Sequence, residues 1–174
     1  MALSSPKLIP CLFFETEAEE AANFYVSIFP NSSIKTVSRF PETFTAQKDL
    51  AGTVMMVDFT LNGYSFSALN TRPTEIKFTE AVSLQIICDT QEEVDHYWDK
   101  LSEGGDESKQ VCGWLGDKFG VSWQVVPKMV PELMSGADAV KKGRVMMAFM
   151  KMKKIIIQDV LDAVEGKAEG GDKA

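Results

Sequence analysis

The 174-residue chain reads as an α+β protein made of two similar halves. Short apolar segments with strand-type alternation are interleaved with helix-type segments whose apolar residues recur three and four positions apart. Two of the helical segments open on a Thr-x-x-Glu signature, Thr16 to Glu19 and Thr90 to Glu93. The second half also repeats the first. Glu19-Glu20 falls on Glu92-Glu93, Phe24-Tyr25 on Tyr97-Trp98, Ile28 on Leu101 and Phe13-Phe14 on Ile86-Ile87, all at an offset of 73.

In chain order, residues 7–14 (KLIPCLFF) are expected to form a strand. The helix after Thr16 carries Ala18, Ala22, Tyr25 and Phe29 on one stripe, with Ala21 and Ile28 beside it, and Pro30-Asn31-Ser32 ends it. Residues 33–40 read as a strand and 41–52 as a polar loop. Residues 53–61 alternate, with Met55, Val57, Phe59 and Leu61 on one side and Met56, Asp58 and Thr60 on the other. Asn62-Gly63 is a strong hairpin signal, because both central residues of a type I′ turn need positive φ. Residues 64–69 are the return strand, and 70–80 a connector.

The second half starts with a strand at 81–88, then a helix with Val94, Tyr97, Trp98 and Leu101 on one face, broken at Gly104-Gly105. Strands are expected at 108–115 and 119–126, around Asp117-Lys118. The hairpin strands repeat at a different offset, 57, which lays Gly63–Leu69 on Gly120–Val126. A helix over 137–153 has Gly143, Met146, Met147 and Met150 on one face, suited to packing on a sheet or across a dimer interface. A shorter helix near 158–165 follows. Residues 1–166 are expected to form one domain: module one at about 7–70, module two at about 80–127, and C-terminal helices at about 129–166. The polar residues 167–174 read as a disordered tail. A strand–helix–hairpin unit leaves one sheet face bare, so the two copies are expected to pair, within the chain or between chains.

Composition narrows the function. With 45% apolar and 25% charged residues the chain is neither fibrous nor wholesale disordered. A net charge of −7 repels phosphate, which argues against nucleic acid and acidic membrane surfaces as partners. Cys11, Cys88 and Cys112 form no CxxC pair, and no secretion signal or long apolar span is visible. A cytoplasmic protein with reduced thiols is expected.

Alternation also assigns the sheet faces. Phe59, Phe66, Leu84, Ile86, Trp123 and Val125 are expected to face the helices. The opposite faces carry Leu12 and Phe14, Asp58 and Thr60, Ser65 and Ser67, Ser83, Gln85 and Ile87, and Ser122 and Gln124. Across a two-residue turn Leu61 opposes Tyr64, so Asp58 opposes Ser67. This lining suits a small organic ligand, with Leu12, Phe14, Ser67, Ser83, Gln85 and Gln124 as binding residues. Asp58 is a candidate base if burial raises its pKa, and otherwise a solvated aspartate. Glu80 is either a second candidate base or a surface carboxylate. Cys112 is either a nucleophile, which no histidine in the chain is placed to activate, or a plain buried thiol, and His96 is expected in the second helix, away from the sheets.

The runs EEAANFYVSIFPNS (19–32), ALN (68–70), KFTEAVS (77–83), TQEEVDHYWDKLS (90–102) and CGWLGDKFGVSWQVVP (112–127) resemble the vicinal oxygen chelate superfamily. Within it they are similar to the PhnB-like branch, whose members carry the label demethylubiquinone methyltransferase-like. The resemblance spans about residues 7–155. It implies paired βαβββ modules forming a half-open barrel of mixed sheet, in a homodimer. Metal-using members of the superfamily hold the ion on strand positions that correspond here to Pro10, Ser67, Ser83 and Gln124. Proline offers no donor atom and serine hydroxyls are poor ligands for zinc or iron, so no metal and no cofactor is expected. No glycine-rich loop follows the first strand to cradle S-adenosylmethionine, so the methyltransferase label is not inherited. The reading is a metal-free binder of a small molecule. The alternative is a metal-independent lyase or isomerase with Asp58 or Glu80 as base.

Overall fold

The computed structural model describes residues 8–44, 48–71 and 76–167. The expected disordered tail lies outside them, except Lys167, as do parts of the loop at 41–52 and of the connector at 70–80. The chain forms two compact units, Met1–Ile76 and Lys77–Ala174.

The first unit contains β1 (Cys11–Phe14), α1 (Ala18–Ile28), β2 (Ser33–Arg39), β3 (Val54–Leu61) and β4 (Tyr64–Asn70). Its sheet runs β1-β4-β3-β2, with β1 parallel to β4 and the other pairs antiparallel. The helix lies against β3 and β4. Ala18, Ala21 and Ala22 are fully buried and let the helix approach closely, while Tyr25 and Phe59 fill the gap. Each large side chain removed from water here contributes roughly 1.5–3 kcal/mol. Asn62 and Gly63 take φ of 45° and 82°, as the hairpin signal requires. The first Thr-x-x-Glu signature does not act as a cap. Glu17 occupies the cap position without a side-chain bond. The Asn70 amide oxygen instead accepts from the Ala18 N–H at 2.9 Å.

The second unit contains β5 (Leu84–Cys88), α2 (Gln91–Ser102), β6 (Asp106–Val111), β7 (Trp114–Gly116) and β8 (Ser122–Pro127). Its sheet runs β5-β8-β7-β6 with β5 parallel to β8, the plan of the first unit again. The expected βαβββ repeat is therefore present in each half. Here the capping signature works, since the Thr90 hydroxyl accepts from the Glu93 N–H.

Three expectations are corrected in this half. The strand expected at 108–115 is broken by a tight turn at Cys112-Gly113, where both residues take positive φ, 52° and 80°. Cysteine is an unusual first residue for such a turn, so Gly113 is its one sequence signal. The long helix at 137–153 is the shorter α4, Ala139–Phe149, and a separate short helix, α3, Met129–Ser135, opens the expected C-terminal helical region. Pro131 sits in the first turn of α3, where its missing N–H costs nothing. Of the two placements expected for the methionine face, packing on a sheet is not seen among the described residues. Met146, Met147 and Met150 are exposed, and α4 is buried through Val145 and Ala148.

The helix α5, Ile157–Glu165, completes a cluster in which Val126, Val130, Val145, Ile155 and Val160 are buried together. The segment before α5 is fastened to the module. The Cys112 and Gly113 N–H groups donate to the carbonyls of Met152 and Lys153, both at 2.8 Å. The Gln91 side chain bonds the Ile155 carbonyl and the Ile157 N–H, and Lys154 pairs with Asp95 at 2.9 Å and Asp99 at 3.3 Å. Burial lowers the Lys154 pKa, but the two aspartates outweigh it and raise it.

Candidate functional site

In the first unit, register builds the face opposite α1. Cys11 pairs with Ser67, Ser67 with Asp58, and Asp58 with Thr36, so four polar side chains lie in one row across all four strands. Both carboxylate oxygens of Asp58 are engaged. Ser67 Oγ donates to one at 2.6 Å and Thr36 Oγ1 to the other at 2.8 Å. In the next row Phe13 lies opposite Leu69 and Leu69 opposite Met56, three apolar side chains beside Ser38 of β2. On the other side of the acid row, Thr60 lies between Ser65 and Ser33, and the Ser33 and Thr60 hydroxyls are 3.3 Å apart.

The expected pair of Asp58 and Ser67 is present. Leu12 and Phe14 are not on this face. They pair with Ala68 and Asn70, on the helix side, and Phe14 is only 5% exposed. Cys11 and Phe13 take the open side instead. The reason is a single residue: three residues separate β1 from α1, but two separate β5 from α2. The helices match at an offset of 73 while the first strands match at 74, which makes Cys11 the counterpart of Gln85. Pro10 contributes only its carbonyl, which accepts from the Ser67 N–H.

Thr36 was also missed, for a different reason. Regular pairing from Ser33 with Thr60 and Ile34 with Phe59 brings Lys35 opposite Asp58. A bulge between Ile34 and Thr36 substitutes the threonine.

In the second unit the equivalent row is Gln85, Gln124 and Trp114. The Gln124 amide donates to the Ser83 hydroxyl at 2.7 Å, and the Gln85 amide reaches Gln124 at 3.5 Å. The expected binding residues of this module are therefore together. Val126 belongs to the same face but is covered by the C-terminal helices.

Glu80 lies elsewhere, in an ion pair with Lys109 at 2.9 Å. The hydrogen bond from Lys109 holds its carboxyl below the usual range, which makes it a poor base. Cys112 is in the turn described above. His96 is exposed on α2 and stacks edgewise on Tyr97.

One buried carboxylate escaped the sequence reading. Asp117 accepts from the Phe119 and Val121 N–H groups and, at 2.8 Å, from the Trp123 indole. It is 3% exposed and shapes the turn leading into β8. Two clefts lie away from the open faces. One of about 880 Å³ in the first unit includes Glu19, Arg39 and Asn70, and one of about 800 Å³ lies between α4 and α5. None of the expected site residues lines either.

The donor set does not fit a transition metal. Among the described residues no three His, Cys, Asp or Glu side chains group as an ion requires. Burial, and then the Asp58 charge, raise the Cys11 pKa.

The family model described as 3-demethylubiquinone-9 3-methyltransferase matches residues 6–126. A PhnB protein from Bacillus cereus is 37% identical, with a TM-score of 0.62, over 70% of this chain and 99% of that one. The chain belongs to this PhnB-like family. Its fold is that of the vicinal oxygen chelate superfamily. A Pseudomonas aeruginosa protein (18% identity, TM-score 0.55, 71% of this chain and 98% of that one) agrees in fold. So does the fosfomycin resistance protein FosX from Listeria monocytogenes (15%, 0.50, 77% and 100%). No functionally curated protein matches. The family model ends at residue 126, so the PhnB-like core stops at β8 and α3–α5 fall beyond it.

Proposed function

We propose that this PhnB-like protein binds a small organic molecule on the open sheet face of its first module, without a metal. The observation that carries this reading is the Asp58 carboxylate. It is held by Thr36 and Ser67 in mid-sheet, and one row away lie Phe13, Leu69 and Met56. Such a surface offers an orienting polar group beside an apolar rest. Methyl transfer in the family's description has no support in the residues. The loop after β1 is Glu15-Thr16-Glu17, without the glycines that let nucleotide-binding folds bring their backbone close to a cofactor. A homodimer in the cytoplasm belongs to the same proposal, and sedimentation of the full chain tests the first part.

The test is a fragment screen on the full chain in a chelator, read by amide shifts. Saturable shifts at Asp58, Ser67 and their neighbours are expected. Binding that requires added metal, or shifts confined to the two clefts, overturns the reading. A second reading is a metal-independent lyase or isomerase, favoured by the fixed orientation of Asp58. It predicts that Asp58→Asn abolishes turnover of a bound compound while binding persists.

A further inference from the structure

We propose that the open face of the first module selects an apolar molecule with a cationic nitrogen head, an ammonium or amidinium, over its neutral and anionic counterparts. This rests on the small-molecule reading above and names the ligand class for that same face.

The argument is one of proton bookkeeping. Ser67 and Thr36 each have one hydroxyl proton, and both protons are given to Asp58. Each hydroxyl oxygen therefore keeps only acceptor capacity for a guest. Among the described residues nothing donates to either oxygen, and no ion pair is found for Asp58. The bulge in β2 matters here, because it presents Thr36 instead of Lys35 to the carboxylate. The row is thus a negative group framed by acceptors. A guest with N–H donors satisfies it, and a charged donor does so most strongly. An anion meets like charge at Asp58, which forms no ion pair with a basic group among the described residues.

The apolar row gives the rest of the ligand its place. Phe13, Leu69 and Met56 are two residues along their strands from Cys11, Ser67 and Asp58, about 7 Å away. That distance suits a head group on a ring or short chain. The net charge of −7 also favours encounter with a cation.

The experiment titrates the full-length protein with benzamidine, benzyl alcohol and benzoate, and follows the backbone amides of Cys11, Thr36, Asp58 and Ser67. Benzamidine is expected to bind there at least about tenfold more tightly than either other probe, and to weaken several-fold at high salt. Asp58→Asn is expected to erase the preference. The salt series answers the question on wild-type protein if that variant fails to fold. Equal or tighter binding of benzoate or benzyl alcohol at these amides overturns the cation preference and leaves the small-molecule reading intact. Failure of all three probes and of every library fragment to move these amides overturns both.

Discussion

Asn70, the last residue of β4, caps a helix that begins 52 residues earlier, at Ala18. Its amide group also donates to the Val54 carbonyl at 3.0 Å, so one side chain ties α1, β3 and β4 together. Asn70→Ala loses both bonds and is expected to destabilise the chain by about 1–3 kcal/mol, read by chemical denaturation. Asn70→Asp keeps the cap but sets a carboxylate against the Val54 carbonyl, and is expected to recover only part of the loss. Equal stability of the alanine variant and wild type would show that the cap is idle.

Asp117 and Trp123 give a second stability prediction. Asp117→Ala leaves the indole N–H and two backbone N–H groups without their acceptor, all at or near the core. The expected cost is about 2–4 kcal/mol. Trp123→Phe in the alanine background removes one orphaned donor. The double variant should therefore be more stable than the sum of the two single losses predicts, and strict additivity would rule out the coupling.

The turn at Cys112-Gly113 can be improved. Asparagine tolerates positive φ better than cysteine, and Asn-Gly is the preferred type I′ pair. Cys112→Asn keeps the N–H that bonds Met152 and is expected to stabilise by about 0.5–1 kcal/mol, seen as a higher Tm. Gly113→Ala should do the opposite, because an added Cβ meets the Val125 carbonyl oxygen at 2.8 Å.

Thiol chemistry checks the two strand cysteines. Burial, then Glu93 and Asp89, push Cys88 up to about 12, and it is fully buried. Cys11 is exposed, but burial of its thiol and then Asp58 raise it as well. With iodoacetamide near pH 8, peptide mapping should find Cys11 labelled more slowly than an unstructured thiol. Cys88 should stay unlabelled until denaturant is added, and the Cys11 rate should climb above the ordinary thiol range. Native labelling of Cys88 at the Cys11 rate would contradict the assigned burial.

The Ser122 hydroxyl is buried and, among the described residues, has no hydrogen-bond partner. Ser122→Ala removes an unmet polar group at little loss of volume, and is expected to raise stability by about 1 kcal/mol in the same denaturation assay.

Much of this was legible in the sequence. The repeat, both main helices and the hairpin at Asn62-Gly63 depend on local patterns, and the pairing of Asp58 with Ser67 follows from that turn alone. What stayed hidden is set by single-residue shifts and distant contacts. The extra residue between β1 and α1 inverted the faces of Leu12 and Phe14. The bulge at Lys35 hid Thr36. Asn70 resembles any strand-end residue until its helix is seen, and the Cys112 turn is announced only by Gly113.

The offset of 57 makes Val126 the counterpart of Leu69. In the second module that position is plugged by the chain's own valines and isoleucine. In the first, Leu69 keeps part of its surface. The two halves share a plan but not a vacancy, so a guest that needs the apolar row should saturate at one equivalent per polypeptide rather than two.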